Sequence, residues 1–307
     1  MDSYSRSPSA MLESVLNWQY PPFQEEKGVD RIVAFGDHSH KCPVYVQQTP
    51  PCTAACPAGN DIRAWLTTVQ QTNLKGRNWR ESYEQVWHVA SRTTPFPATC
   101  GRVCPYPCET SCNRAKKDLN AVNIAAFERW LGDYGIEHNL EHKKLISSSI
   151  DRHIAVIGAG PAGLSCAFQL ARRGYAVTVF EALGEPGGML RYGIPAFRLP
   201  RAVLDAEIKA ISQMGVEIVC NHVVGKESDL QEIHHRFDAV FLGVGAHQGI
   251  ELDLAGQDAS NVLSGITFLR RINSGESMDI SNRVIVAGGG NTAIKAVRAA
   301  RRLGAEV

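Results

Sequence analysis

At 307 residues, the chain has length for roughly two domains of ordinary size. With 44% hydrophobic and 21% charged residues it has enough apolar side chain for packed cores, which excludes wholesale disorder. Lys and Arg total 32 against 31 Asp and Glu, and a formal net charge of +1 excludes any global attraction to nucleic acid or an anionic membrane. The apolar runs 154–163 and 239–246 are far shorter than a membrane span. The start, Met1-Asp2-Ser3-Tyr4-Ser5-Arg6, lacks the apolar stretch of a secretory signal, so a cytoplasmic protein is expected.

Residues 1–40 are irregular, with Pro21-Pro22 and no sustained period, and read as an extension packed on the body or on a partner. A small helical, cysteine-rich domain is expected over 41–146. In it Asp61 caps a helix with Ile62, Trp65, Leu66 and Val69 at helical spacing. Asn78 caps a second that places Tyr83, Val86 and Trp87 on one side, and a third runs over 121–134 with Ile124, Phe127 and Leu131 inward. The polar stretch 137–151, with Ser147-Ser148-Ser149, reads as a linker.

Seven of the nine cysteines fall in this region: Cys42, Cys52, Cys56, Cys100, Cys104, Cys108 and Cys112. In a reducing compartment such a cluster means metal ligation or redox chemistry rather than disulfides. Cys166 and Cys220 stand alone in apolar surroundings and read as core packing. Within the runs Cys52–Cys56 and Cys100–Cys112 every step is four residues, but Pro105 and Pro107 exclude one straight helix, and a loop wrapped around a compact cluster is expected. Four thiolates satisfy one iron–sulfur cube, and Cys followed by Pro, as at Cys56-Pro57, is common at the end of such runs. Zinc, usually held by closer paired spacings, and unmetallated reactive thiols are the rival readings. His38 and His40, ahead of Cys42, are candidate ligands or ordinary surface histidines.

From His153 strands and helices alternate: strands at 154–157, 176–180, 216–219, 238–244 and 284–287, with a helix over 162–173. Alternation of this kind builds a parallel sheet with crossover helices, an α/β fold. Gly158-Ala-Gly160-Pro161-Ala162-Gly163 follows the first strand and opens its helix, and Glu181 ends the second strand, as a dinucleotide fingerprint requires. Gly158 serves the tight turn, Gly160 the approach of backbone to a pyrophosphate, and Gly163 close helix–strand packing, while Glu181 would accept from the adenosine ribose. A second glycine turn, Gly184-Glu-Pro-Gly187-Gly188-Met-Leu190-Arg191-Tyr-Gly193, and the strand end Leu-Gly243-Val-Gly245-Ala246 favour FAD over a nicotinamide cofactor in this half, a Rossmann-like FAD-binding domain over 152–280.

Val284-Ile-Val-Ala-Gly288-Gly-Gly290-Asn291-Thr292-Ala293 repeats the strand-to-helix turn. It reads as the start of a second, truncated NAD(P)-binding Rossmann unit over 281–307, ending where its next strand would begin.

These motifs together resemble one family, covering about residues 42–307. They are Pro-Pro-Cys52-Thr-Ala-Ala-Cys56-Pro, Cys100-Gly-Arg-Val-Cys104-Pro, Gly-Gly188-Met-Leu-Arg-Tyr-Gly-Ile-Pro195-Ala-Phe-Arg-Leu-Pro200 and Gly-Gly-Gly290-Asn-Thr-Ala. The resemblance is to the small (β) subunit of bacterial NADPH-dependent glutamate synthase and its relatives. Among those are the N-terminal part of dihydropyrimidine dehydrogenase and the iron–sulfur flavoprotein that serves dissimilatory sulfite reductase. It implies a helical domain with [4Fe-4S] clusters ahead of the FAD-binding domain. It assigns Cys56, Cys104, Cys108 and Glu128 to one cluster, and Cys52 and Cys112 with upstream ligands to another. Here the chain departs from the family, offering only Cys42 upstream, and Cys100 is not a usual ligand. Without the resemblance, Glu128 reads as a surface residue beside the apolar face.

The resemblance further implies an electron relay from NAD(P)H through FAD and the clusters to a partner. That partner is the glutamate synthase large subunit by default, with sulfite reductase or a ferredoxin as alternatives. No acid–base pair or catalytic triad is apparent, since the chemistry belongs to the cofactors. A non-enzymatic flavin and cluster module is the remaining reading.

Overall fold

The computed structural model describes residues 49–117, 120–249 and 255–307. The expected extension over 1–40, His38, His40 and Cys42 lie outside the described residues.

Among the described residues the first part is a bundle of six α-helices: α1 (Pro51–Ala55), α2 (Ile62–Gln70), α3 (Trp79–Ala90), α4 (Pro97–Val103), α5 (Pro107–Thr110) and α6 (Ile124–Glu137). The expected caps are in place. The Asp61 carboxylate accepts from the N–H of Ala64 at 3.0 Å, and Asn78 forms a reciprocal capping box with Glu81. The third helix begins later than 121, because the Asn123 side chain accepts from Ala126 N–H and starts the helix at Ile124. The second cysteine run is not one wrapped loop either. It is two short helices, each opened by a proline whose missing N–H costs nothing at that position, and separated at Pro105-Tyr106. Tyr106 takes a left-handed conformation, φ 55°, at this break.

Helices α4 and α6 approach so closely that glycine is required on both. A Cβ at Gly132 would lie 2.1 Å from the backbone nitrogen of Ala98, and one at Gly101 2.3 Å from the backbone of Arg129. Ile62, Trp65, Val86, Trp87 and Leu131 fill the centre of the bundle.

The second part is a four-stranded, all-parallel sheet of β1 (Ile150–Ile157), β2 (Tyr175–Phe180), β3 (Val216–Val219) and β4 (Ala239–Leu242). Its order is β3-β2-β1-β4, with Ile154 opposite Val177 on one side and Ala239 on the other. This is the order of the first four strands in a dinucleotide-binding fold. Covered on both faces, β1 is fully buried over Ile154–Ile157.

One face packs Val156 and Val179 under α7 (Pro161–Arg172), together with Leu204 and Ile211 of a later helix at Arg201–Ser212. The other face packs Ala155, Ile157 and Phe180 against Ile233 and Phe237. The chain between the two parts is anchored rather than free, with Leu145 N–H donating to Arg172 O at 2.7 Å.

The last segment packs helix Gly265–Asn273 against helix Asn291–Arg302 through Phe268, Leu269, Ala296, Ala299 and Ala300. The strand expected over 284–287 is absent. Only a single parallel bridge joins Arg283 to Glu306, and Ile285 is exposed, because among the described residues no neighbouring strand completes the ladder. No helix among the described residues is long and apolar enough to cross a membrane.

Candidate functional site

The cysteines sit at helix ends that pack together. Cys56 ends α1, Cys104 ends α4, Cys108 lies in α5, and α1 packs on α5 while α4 packs on α6. Glu109 ties this group to α6, its carboxylate accepting from Ala125 N–H at 2.7 Å in the first turn of the helix that carries Glu128. Arg102 clamps α4 to α6 through Asp133 at 2.8 Å.

Glu128 is only 5% exposed, so the surface placement that its position in the sequence suggests is wrong. Burial alone pushes its carboxyl up to about 7, and no hydrogen-bond donor or cation meets it among the described residues. The Cys104 thiol is pushed up by burial, with the charges of Glu128 and Cys56 adding to it and the Tyr106 N–H, at 3.4 Å from its sulfur, opposing. Burial and the neighbouring Cys56 and Cys104 push Cys108 up to about 11. Cys104 therefore lies within electrostatic reach of both Glu128 and Cys56, and Cys108 within reach of Cys56 and Cys104.

Burial without a cation among the described residues favours the protonated forms of this donor set, and such a set fits an inorganic core that displaces those protons and brings positive charge with it. Among the described residues no three such side chains converge on one point, as ligands of a single ion must.

Cys112 differs, since hydrogen bonds from the backbone, Val122 N–H first, hold its thiol below the ordinary value and favour a thiolate. Cys52 packs beside the same apolar cluster. Cys100 packs against the core of the α/β part, and burial, followed by the charge of Glu128, pushes it up to about 12, which keeps it a protonated thiol.

At the first glycine turn Gly158 has φ +100°, and a Cβ there would meet Gly243 O at 2.5 Å. A Cβ on Gly163 would lie 1.8 Å from Gly158 O, so this glycine is needed for helix to pack on strand. Gly160 faces space, with only the Cα of Gly188 at 3.9 Å, and the left-handed Gly188 closes the opposite side. Pro161 and Ala162 form the first turn of α7, whose free N–H groups face this gap.

Glu181 is buried, its carboxylate accepting from Ala159 N–H at 2.7 Å and Leu183 N–H at 2.9 Å. It braces the turn and keeps further lone pairs for a ribose hydroxyl. Gly187 N–H donates to Ala159 O at 2.8 Å, locking the second glycine loop to the first. Arg191 is occupied as a brace of that loop, donating to Pro186 O at 2.6 Å and pairing with Glu185 and Asp205, while Leu190 joins the apolar core. Gly245, in the segment that follows β4, has φ +69°. In the second turn Gly288 has φ +118°, and Gly290 leads extended into the helix that Asn291 and Thr292 open.

Sequence reasoning missed Glu109, Tyr106, Gly101, Gly132 and Glu207. Each acts through a partner distant in sequence or through backbone geometry, so no local pattern marks it.

A helical domain bearing a group of free thiols and a buried carboxyl, followed by glycine-turn dinucleotide units, is that of an iron–sulfur flavoprotein of the oxidoreductase class. Comparison with known proteins gives the particular family. Residues 37–140 match the family described as dihydropyrimidine dehydrogenase domain II, 4Fe-4S cluster, and residues 152–307 match pyridine nucleotide-disulphide oxidoreductase. The chain belongs to the pyridine nucleotide-disulphide oxidoreductases, among the iron–sulfur flavoproteins related to the glutamate synthase small subunit. The matches carry the FAD and [4Fe-4S] assignments and set zinc aside.

Similar proteins include the NADPH-Fe(3+) oxidoreductase subunit beta of Geobacter sulfurreducens, 40% identical over 84% of this chain and 38% of that protein. The glutamate synthase [NADPH] small chain of Escherichia coli K12 is 33% identical over 94% of this chain and 60% of that one. The NAD-dependent dihydropyrimidine dehydrogenase subunit PreT of Escherichia coli O157:H7 is 34% identical over 83% and 60%. The chain thus spans 38% to 60% of the length of these relatives.

Proposed function

We propose that this chain is part of a cytoplasmic, NAD(P)H-dependent electron-input subunit that delivers reducing equivalents to a partner redox subunit, with the glutamate synthase large subunit as the default. The observation that carries the reading is the buried Glu128 carboxyl, without a donor or cation, within electrostatic reach of Cys104 in a chain that also holds two dinucleotide turns. When bound, the flavin takes up a hydride from NAD(P)H and the iron–sulfur groups carry single electrons.

Cys56, Cys104, Cys108 and Glu128 would hold one cluster, and Cys52, Cys112 and Cys42 would contribute to a second. The N–H of Tyr106 on the Cys104 sulfur stabilises its thiolate and so raises the potential of whatever that sulfur ligates. Gly160 and Gly188 leave room for a pyrophosphate beside the free N–H groups of α7. Gly288, Gly290, Asn291 and Thr292 would form the corresponding turn for the nicotinamide nucleotide.

Relatives named as a beta subunit and a small chain support a subunit role, and they also leave room for acceptors other than glutamate synthase, such as a sulfite reductase or ferredoxin. Anaerobic purification with flavin, iron, sulfide and zinc analysis tests the reading. Stoichiometric FAD with iron and sulfide, and reduction of an artificial acceptor by NADPH or NADH, is the expected result. Zinc in place of iron, or a preparation free of flavin, overturns it. Cofactor content without nicotinamide oxidation reduces the reading to a binding module.

A further inference from the structure

We propose that the cavity between α3 and the C-terminal end of α7 binds a small molecule through a phosphate group. The cavity encloses about 510 Å³ and is walled by α3, the segment 142–145, Phe168 and Arg172. It lies at the far end of α7 from the first glycine turn. Nine residues separate Gly163 from Arg172, a rise of about 14 Å along the helix. The site is therefore distinct from either dinucleotide turn, and the proposal stands independently of the redox reading.

Arg172 forms the floor. It is 7% exposed, and among the described residues no carboxylate pairs with it. Its Nε donates to Lys143 O at 3.3 Å and one Nη to Arg92 O at 3.0 Å, and the guanidinium lies 5.2 Å from the centre of the Phe168 ring. Those two bonds explain Arg172 as a staple at a helix C-terminus, a role that cations favour. They do not explain its remaining donors or the other positive charges around the cavity.

The exposed Arg92, Lys143 and Lys144 also line the wall, making four cations with the buried Arg172. Two acids line it as well, but both are committed elsewhere: Glu81 to the N–H of Asn78 at 3.0 Å, and Glu84 to Arg80 at 2.8 Å. Burial first, then the charges of Lys143, Arg172 and Arg92 against an opposing Glu84, hold His88 in the same wall below its ordinary value.

A cavity with an excess of two positive charges and a buried guanidinium at its base suits a dianion. A phosphate can reach the planar fork of Arg172 and the cations of the rim together, whereas one carboxylate would compensate a single charge.

The test uses the FAD-loaded chain and inorganic phosphate, measured by equilibrium dialysis of the radiolabelled anion at constant ionic strength in chloride. One saturable site per chain is expected. The double substitution R92Q/K143Q should weaken it at least tenfold with flavin content unchanged. R172Q should do the same, and if that variant fails to fold the rim pair decides. Absence of saturable binding overturns the proposal. So does unchanged binding in R92Q/K143Q, which would place the anion at a dinucleotide turn, or binding of an oligoglutamate peptide that phosphate does not displace.

Discussion

The Glu207 carboxylate accepts a hydrogen bond from the backbone N–H of Ala98 at 2.6 Å and, with its other oxygen, from Thr99 N–H at 3.1 Å. A residue of the flavin-type domain thereby caps α4, whose opposite end presents Cys104. Burial pushes this carboxyl up to about 8, with the two backbone donors and the charge of Arg102 opposing. Replacement by Ala leaves two buried donors without acceptors. Each such loss costs about 1–3 kcal/mol, so Glu207→Ala should lower the unfolding free energy by about 2–6 kcal/mol. Glu207→Gln, which keeps one acceptor, should fall between. Denaturant unfolding of the three proteins measures this, and equal stability of Glu207→Ala and wild type would refute the cap.

The contrast between what is legible in the sequence and what is not is clear along α4 and α6. Asp61 and Asn78 announce their helices because a cap acts on N–H groups two or three residues away. Gly158, Gly160 and Gly163 announce the turn because their spacing fixes its geometry. Glu207 acts across 109 residues, and Gly132 is demanded by the backbone of another helix, so neither leaves a local trace. The helices at Pro97–Val103 and Pro107–Thr110 are masked by their own prolines, which read as breakers but stand at the first helical position. Glu128 illustrates the limit of periodicity, since its burial depends on the cysteine-bearing helices packed against α6.

Glu128 should show opposite effects in the metal-free and metal-loaded protein. Its carboxyl is raised from 4.5 to about 7 by burial, so the folded state binds more protons than the unfolded one between these values, and stability falls as pH rises through that window. At pH 8 the metal-free Glu128→Gln variant should be more stable than wild type, on the order of 2 kcal/mol, and indistinguishable from it at pH 4. The loaded variant should lose iron or show an altered cluster spectrum. Urea melts at the two pH values and iron analysis decide; a destabilised metal-free variant with normal iron would make Glu128 structural only.

Two neighbouring glycines should fail differently. A Cβ at Gly160 meets only the Cα of Gly188, at 3.9 Å, so Gly160→Val should fold normally yet occupy the space left for a pyrophosphate and release FAD. A Cβ at Gly163 collides with Gly158 O at 1.8 Å, so Gly163→Val should unfold the α/β part itself. Circular dichroism and flavin content separate the two outcomes. Full flavin retention by Gly160→Val would move the cofactor elsewhere.

His142 should set the acid limit of stability. Its ring stacks on Trp87 at 4.8 Å and meets Phe168 edge-on at 4.7 Å, and burial, followed by the charge of Arg172, lowers its pKa to about 4. In the unfolded chain the imidazole titrates near 6.5. Between 6.5 and 4 the unfolded state therefore binds the additional proton, and the folded state loses stability as pH falls through that range. The loss should be on the order of 2 kcal/mol after allowance for partial solvent access. His142→Phe removes the titrating group while keeping a ring between Trp87 and Phe168, so its stability should be flatter than wild type from pH 6.5 to 4. Thermal melts at half-unit pH steps provide the comparison, and parallel acid profiles for the two proteins would show that His142 stays accessible to protons in the folded chain.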